Sequence, residues 1–278
     1  MLNINTNYGA AFAANAAKKT SNELDSSIEK LSSGSRINYA SDDAAGMAIS
    51  TRLRGEIEGL AMASKNASDA QSMLDTADGA LAEVHTALLR MRELAVQSSN
   101  DTVTSSDRDA MQSEVAQLEA EIQRISDNTT WAGQNLLDGT FTTGASFQIG
   151  ADAGQNLQIS IGSIDATTTF ANGGLNLNSH ISTQAAATAY ITDIDNAISH
   201  ISAQRGKLGA ASNRLDSTIS NLDQIRVNLS QSNARISDTD FALETSNMAR
   251  NQIMQQAATA MIAQANASKG SVLTLIQG

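Results

Sequence analysis

The stretch Leu53–Ala95, LRGEIEGLAMASKNASDAQSMLDTADGALAEVHTALLRMRELA, decides the fold. Its apolar residues recur at a 3-4 spacing: Leu53, Ile57, Leu60, then Ala67, Leu74, Ala77, Leu81, Val84, Leu88, Met91 and Ala95, with Ser64 as the polar slot. That period is a helix with one buried stripe. A helix over roughly 44–99 would run about 80 Å at 1.5 Å per residue. Globular helices average about three turns, so this length predicts a coiled coil or an elongated bundle.

Working outward, a second stripe follows at Met111, Val115, Leu118, Ile122 and Ile125. Between the two, Ser98–Asp107 is rich in Ser, Asn, Asp and Thr, whose side chains bond their own backbone and favour turns. An αα-hairpin is expected there. A third stripe runs Ile194, Ile198, Ile201, Leu208, Leu215, Ile219, Leu222, Leu229, Ile236, Leu243, Met254, Met261. It keeps a seven-residue register, with polar slots at Arg205, Ser212, Arg226 and Asn233.

The middle differs. Phe147 and Ile149, and then Leu157, Ile159 and Ile161, alternate with polar residues around the turn-forming Gly150–Gly154. Period two on both sides of a Gly/Asp turn predicts a β-hairpin at about 140–162. Residues 167–184 read as loop. The fold class expected is therefore mainly α: an elongated antiparallel helical bundle or coiled coil from both chain ends, with a small β-hairpin region in the middle. Residues 1–33 and 246–278 carry thin faces of Ala, Met and isolated Leu or Ile. Such helices are marginal alone and are expected to order by packing on each other or on neighbouring subunits.

Composition narrows the function classes. Among 278 residues there is no proline and no cysteine, and aromatics are 3%. About 14 prolines would be usual at this length. No cysteine excludes disulfides, zinc-thiolate sites and thiol catalysis. No proline removes helix breaks and slow isomerisation. A net charge of −11 argues against nucleic acid as a partner, and no apolar run is long enough to span a membrane. Met1–Thr20 lacks the layout of a secretory signal peptide, so any export is expected to use another route.

Catalytic chemistry finds little support, and the chain is not expected to be an enzyme or to hold a cofactor. His85, His180 and His200 form no HExxH and no i, i+4 pair, so no metal site is expected. No phosphate-binding glycine loop or nucleophile elbow occurs. Asp42 and Asp43 could be paired carboxylates, but with Ser41 they sit just before the long helix. Capping of its free N–H groups is the expected role of Ser41, Asp42 and Asp43.

Three strings carry a family resemblance. Leu31-Ser-Ser-Gly-Ser-Arg-Ile-Asn-Tyr-Ala-Ser-Asp-Asp-Ala-Ala-Gly-Met-Ala-Ile49 resembles the N-terminal signature of bacterial flagellin. Leu88-Leu-Arg-Met-Arg-Glu-Leu-Ala-Val-Gln-Ser98 resembles that family's second helix segment. Arg235-Ile-Ser-Asp-Thr-Asp-Phe-Ala-Leu-Glu-Thr-Ser-Asn-Met248, with Gln252–Asn266, resembles its C-terminal signature. The resemblance extends over about 1–140 and 185–278.

The resemblance implies a structural subunit that self-assembles into a helical homopolymer, the extracellular flagellar filament that serves as a motility propeller. It implies an inner coiled-coil domain of residues 1–43 plus 235–278 and an outer helical domain of 44–234, with no additional surface domain. Leu24, Ile28, Leu31, Met254, Met261 and Leu275 are then expected to pack the terminal core. Leu53, Ile57, Leu60, Leu81, Leu88, Leu215, Leu222, Leu229, Ile236 and Leu243 are expected to form helix seams between subunits. Implied partners are an export chaperone on about 230–278, the filament cap and hook-junction proteins, and host Toll-like receptor 5. The receptor residues carried over by motif are Arg90, Leu94 and Glu114, while Leu89 departs from the polar residue usual there. Competing readings are a hook-filament junction protein and a soluble secreted coiled-coil effector.

Overall fold

The structure, a computed structural model, describes residues 6–166, 174–177 and 180–277, the last with the side chains of 269 and 271–277 set aside. Its elements in chain order are α1 (Tyr8–Ser33), α2 (Ala44–Ser98), α3 (Ser105–Asn128), β1 (Thr130–Trp131), β2 (Gln134–Asn135), β3 (Ala145–Gln148), β4 (Asn156–Ile159), α4 (Gln184–Ser237) and α5 (Phe241–Gln277). The chain divides into two compact units. One joins residues 1–55 to 228–278, and the other is 56–227.

Within 56–227, the stripes of α2, α3 and α4 close on one core. Leu74, Leu81, Leu88 and Met91 of α2 meet Val115 and Ile122 of α3 and Tyr190, Ile194, Ile201, Leu208 and Leu215 of α4. Each fully buried leucine contributes about 1.5–3 kcal/mol relative to exposure. Ala67, Ala70 and Ala77 are also fully buried, where a small side chain lets helices approach closely. Polar rungs flank the core. Arg205 bonds Asp78 through both Nε (2.7 Å) and Nη2 (3.0 Å), Arg92 Nε donates to Asp195 (2.6 Å), and Gln71 Nε2 to Asp216 (3.0 Å). Later residues of α2 meet earlier residues of α4, so the pair is antiparallel.

The turn between α2 and α3 has a full set of local partners. Thr104 and Asp107 form a capping box, in which Asp107 N donates to Thr104 Oγ1 and Thr104 N donates to Asp107 Oδ2. Arg108 Nε donates to Ser98 O at 2.9 Å, satisfying a carbonyl at the end of α2. These contacts hold Asp107 below the usual carboxylate range, first through the Thr104 hydroxyl and then its amide.

The expected hairpin is present, with Ala145 opposite Ile159 and Phe147 opposite Leu157. Leu157 and Ile159 face the core, and Ile161 beyond the strand is fully buried. A second, two-residue pair, β1 with β2, was not expected. It turns at Ala132 (φ 50°) and Gly133 (φ 83°), the left-handed pair that a tight hairpin needs. Of the segment expected to be loop, 167–173 and 178–179 lie outside the described residues. Its described part has no helix or strand before Gln184, as expected of a loop, but much of it packs inward. Leu175, Leu177 and Ile181 are buried, and the amides of Leu175 and Leu177 donate to Asp165 O and Ala166 O at 2.8 Å.

The C-terminal stripe is divided between two helices, since α4 ends at Ser237 and α5 begins at Phe241. Asp240 causes the restart: its Oδ1 accepts from Ala242 N (2.9 Å) and Leu243 N (3.2 Å), an N-cap.

In the unit of 1–55 with 228–278, α1 lies against α5. Its buried residues are Ala13, Thr20 and Ser27, small side chains seven apart. Asn7 caps α1 by accepting from Ala10 N and donates to Ala265 O at 3.2 Å, which places the start of α1 beside the later part of α5. Ser50 Oγ donates to Asn233 Oδ1 at 2.7 Å, answering one of the polar slots.

Candidate assembly and recognition surfaces

Large apolar side chains crowd the outside of the terminal helix pair. Phe12 is 79% exposed, Met261 62% and Leu243 61%, and Tyr8, Ile253 and Met254 are also exposed. A groove of about 380 Å3 runs between the helices, lined by Phe12, Ala16, Thr20, Met254, Ala258 and Met261. Burial in this pair differs from expectation. Leu24 and Leu31 are half-buried, and Ile28, Met254 and Met261 are exposed. The side chain of Leu275 lies outside the described residues. The interior belongs to Ala13, Thr20 and Ser27, because close-packed helices admit only small side chains between their backbones. The large residues are thereby turned outward.

The seam residues also divide. Leu81, Leu88 and Leu215 are fully buried inside their own subunit, and Leu60 and Leu222 nearly so. They cannot pack against a second copy, because the stripes of α2, α3 and α4 already cover one another. Leu53, Ile57, Leu229 and Ile236 are half-buried, and Leu243 is exposed.

On the α2–α3 face, Arg90 Nε donates to Glu114 Oε1 at 2.9 Å and Nη1 to Glu93 Oε2 at 3.0 Å. Glu114 is the first cause of a guanidinium pKa held above its usual value. The structure brings Arg90 and Glu114 together but not Leu94, which is 2% exposed and belongs to the core. Residues four apart are helix neighbours, yet the boundary of the buried stripe falls between these two. Leu89 and Val96, seven apart, are the exposed apolar residues on this stretch. They fall off the 3-4 stripe, which was the available sign that they point outward.

The cap residues have separate duties. Asp43 is the N-cap of α2, with Oδ1 accepting from Gly46 N at 2.8 Å. Asp42 Oδ2 instead accepts from Tyr39 N (3.0 Å) and Asn38 N (3.1 Å), bonds that hold its carboxyl below the usual range. Ser41 is exposed in the turn that precedes them. Gly46 leaves room for this cap, since a Cβ there would lie 2.8 Å from Ile37 Cδ1 and overlap the Asp43 carboxylate, so that these side chains would have to shift.

Among the described residues no three His, Cys, Asp or Glu side chains converge as metal ligands, and no helix is long and apolar enough to cross a membrane. His85 and His200 are half-buried and His180 is exposed. Burial, and then Lys207, push the His200 imidazole below its usual pKa.

Comparison with known proteins fits this architecture. Residues 4–142 match the family profile of the bacterial flagellin N-terminal helical region, and 191–276 that of the C-terminal helical region. The chain is 42% identical to a flagellin of Halalkalibacterium halodurans over 92% of its own length and 93% of that protein's. It is 39% identical to a flagellin of Bacillus subtilis over 99% and 100% of the two lengths. A crystal structure of Bacillus cereus flagellin aligns at 33% identity over 57% of this chain and 88% of that one, with a TM-score of 0.49. From the paired terminal helices, the hairpin and two family profiles that together span most of its length, the chain belongs to the bacterial flagellin family, the structural subunits of the flagellar filament.

Proposed function

We propose that this chain assembles through the apolar outer surface of its terminal helix pair, α1 with α5. The observation that carries this is the outward set of Phe12, Met254 and Met261 around a groove lined by alanines, with Leu243 exposed nearer the start of α5. Exposed apolar patches of this kind mark interaction sites. A contact between two different faces that does not close on itself generates an open helical filament. Residues 1–43 with 235–278 form the filament core in this reading, and 44–234 the layer outside it. The same α5 surface must be masked before assembly, which suits a cytoplasmic chaperone on about 230–278 and delivery to the cap at the tip of an extracellular filament. The hook-junction proteins join the filament base. No catalysis is assigned.

The experiment is a double substitution, Phe12→Asp with Met261→Asp. After salt-induced polymerisation and ultracentrifugation the variant stays in the supernatant while wild type pellets. Trp131, the single tryptophan, lies in the 56–227 unit and reports whether that unit still melts normally. A variant that pellets like wild type contradicts the proposal.

The second reading, recognition by host Toll-like receptor 5, is favoured by the exposed Arg90–Glu114 pair beside Leu89. Leu94 enters it only by anchoring the helix. In receptor-reporter cells Arg90→Ala loses potency; equal signalling by the variant removes the residue assignment.

A further inference from the structure

The connections α1–α2 and α4–α5 are joined by hydrogen bonds between residues about 200 apart in sequence. Arg36 N donates to Ser237 O at 2.6 Å, and Arg36 Nη2 to Ile236 O at 2.6 Å. Ser35 Oγ donates to the same Ser237 O at 3.0 Å. In return, Thr239 N donates to Gly34 O at 3.0 Å. All these residues lie within the unit formed by the two chain ends.

A helix C-terminus leaves its last carbonyls without intrahelical donors and carries partial negative charge. Here the end of α4 is satisfied by the residues that follow α1, and Gly34, the left-handed cap of α1 (φ 69°), is satisfied by a residue that follows α4. The two helix ends cap each other. Arg36 supplies the cation at the negative end of α4 and two of the four bonds.

This clasp has a consequence for the terminal pair. On α1 the buried residues are Ala13, Thr20 and Ser27, with Leu24 and Leu31 half-buried. Small, similar residues at heptad spacing discriminate poorly between one register and the next, since register is fixed by large or polar knobs. The clasp sits where α1 ends and α5 begins, so it can fix the register from that end. Register in turn decides whether Phe12 stands beside Met254 and Met261.

We propose that Arg36 is a positioning residue for assembly: by clasping the end of α4 it sets the register of α1 against α5, and so builds the apolar surface through which subunits join. This rests on the terminal-surface reading above.

The absence of native cysteine makes a direct register measurement possible. A Cβ at Gly9 would lie 3.9 Å from Ala265 Cβ, within the range of a disulfide. Gly9→Cys with Ala265→Cys therefore reports the native register. Gly9→Cys with Ala258→Cys reports a slip of one heptad. Filaments of each pair are oxidised with and without Arg36→Ala or Arg36→Lys, and critical concentrations are measured alongside. The 9–265 link is expected to form efficiently with Arg36 present. With Arg36→Ala its yield falls at least threefold, the critical concentration rises at least fivefold, and Arg36→Lys recovers part of both. The Trp131 melting transition stays in place. Unchanged cross-linking and critical concentration in Arg36→Ala would overturn the clasp, as would a loss that appears equally in the Trp131 transition. Failure of the wild-type chain itself to polymerise would instead contradict the assembly reading.

Discussion

The hydroxyl of Tyr190 on α4 donates to Glu119 Oε1 on α3 at 2.6 Å. Tyr190 is fully buried and Glu119 half-buried. Burial raises the Glu119 carboxyl above its usual pKa against the opposing effect of the Tyr190 bond. Burial, and then Glu119, push the Tyr190 hydroxyl far above the usual tyrosine range, so it stays protonated and able to donate.

Tyr190→Phe removes the donor and leaves a partly buried carboxylate without it. A hydrogen bond to a charged group contributes about 1.5–3 kcal/mol, so a loss near the lower end is expected, read by urea denaturation at pH 7 through Trp131. The pH dependence has a definite sign. A carboxyl whose folded pKa is raised stabilises most below its unfolded pKa, and that contribution is lost as pH rises through the folded value. The deficit of Tyr190→Phe should therefore shrink as pH falls into the carboxylate range. A deficit that grows with acidification would contradict this account.

Gly46→Ala should disturb the start of α2. The added methyl meets Ile37 Cδ1 and the capping carboxylate of Asp43. Overpacking of this kind costs about 1–3 kcal/mol. Circular dichroism melting of the variant should show the loss, and an unchanged melt would mean that the loop 34–43 yields freely.

Ala132→Asn should stabilise the protein. Ala132 adopts φ 50°, a conformation that costs an L residue about 1–2 kcal/mol and that asparagine tolerates better. An Asn-Gly pair also suits the two-residue turn between β1 and β2. Calorimetry should record a higher melting temperature; a lower one would show that the turn is held by something other than its own backbone preference.

Thr104→Ala removes the N-cap of α3, at a cost of about 1 kcal/mol. Amide exchange should accelerate first in the opening turn of α3, from Ser105. Uniform acceleration along the helix would point to a global rather than a capping effect.

The sequence made the helices legible because their stripes are long and regular. The 3-4 spacing through Leu53–Ala95 locates α2, whose observed end at Ser98 lies within the Ser/Asn/Asp/Thr turn. The hairpin was legible from Phe147 and Leu157, which now stand opposite each other. Two things were not legible. Apolar spacing does not say whether a residue packs inside its own subunit or against another, so Leu81, Leu88 and Leu215 looked like seams between copies and proved to be core. In the terminal pair the rule that large apolar residues point inward fails, because close helix packing selects Ala13, Thr20 and Ser27 for the interior. The clasp at Arg36 left no periodic trace, since it joins the short segment after α1 to the end of α4, distant in sequence.

The central claim is that this chain works by assembling into a filament through its ends. The 56–227 unit carries 9 Lys and Arg against 21 Asp and Glu, so neighbouring copies repel until salt screens them. The direct measurement is negative-stain electron microscopy of the purified full chain after addition of a polymerising salt. Long tubes of uniform diameter are the result expected, and persistent monomers at high concentration and high salt would contradict the account.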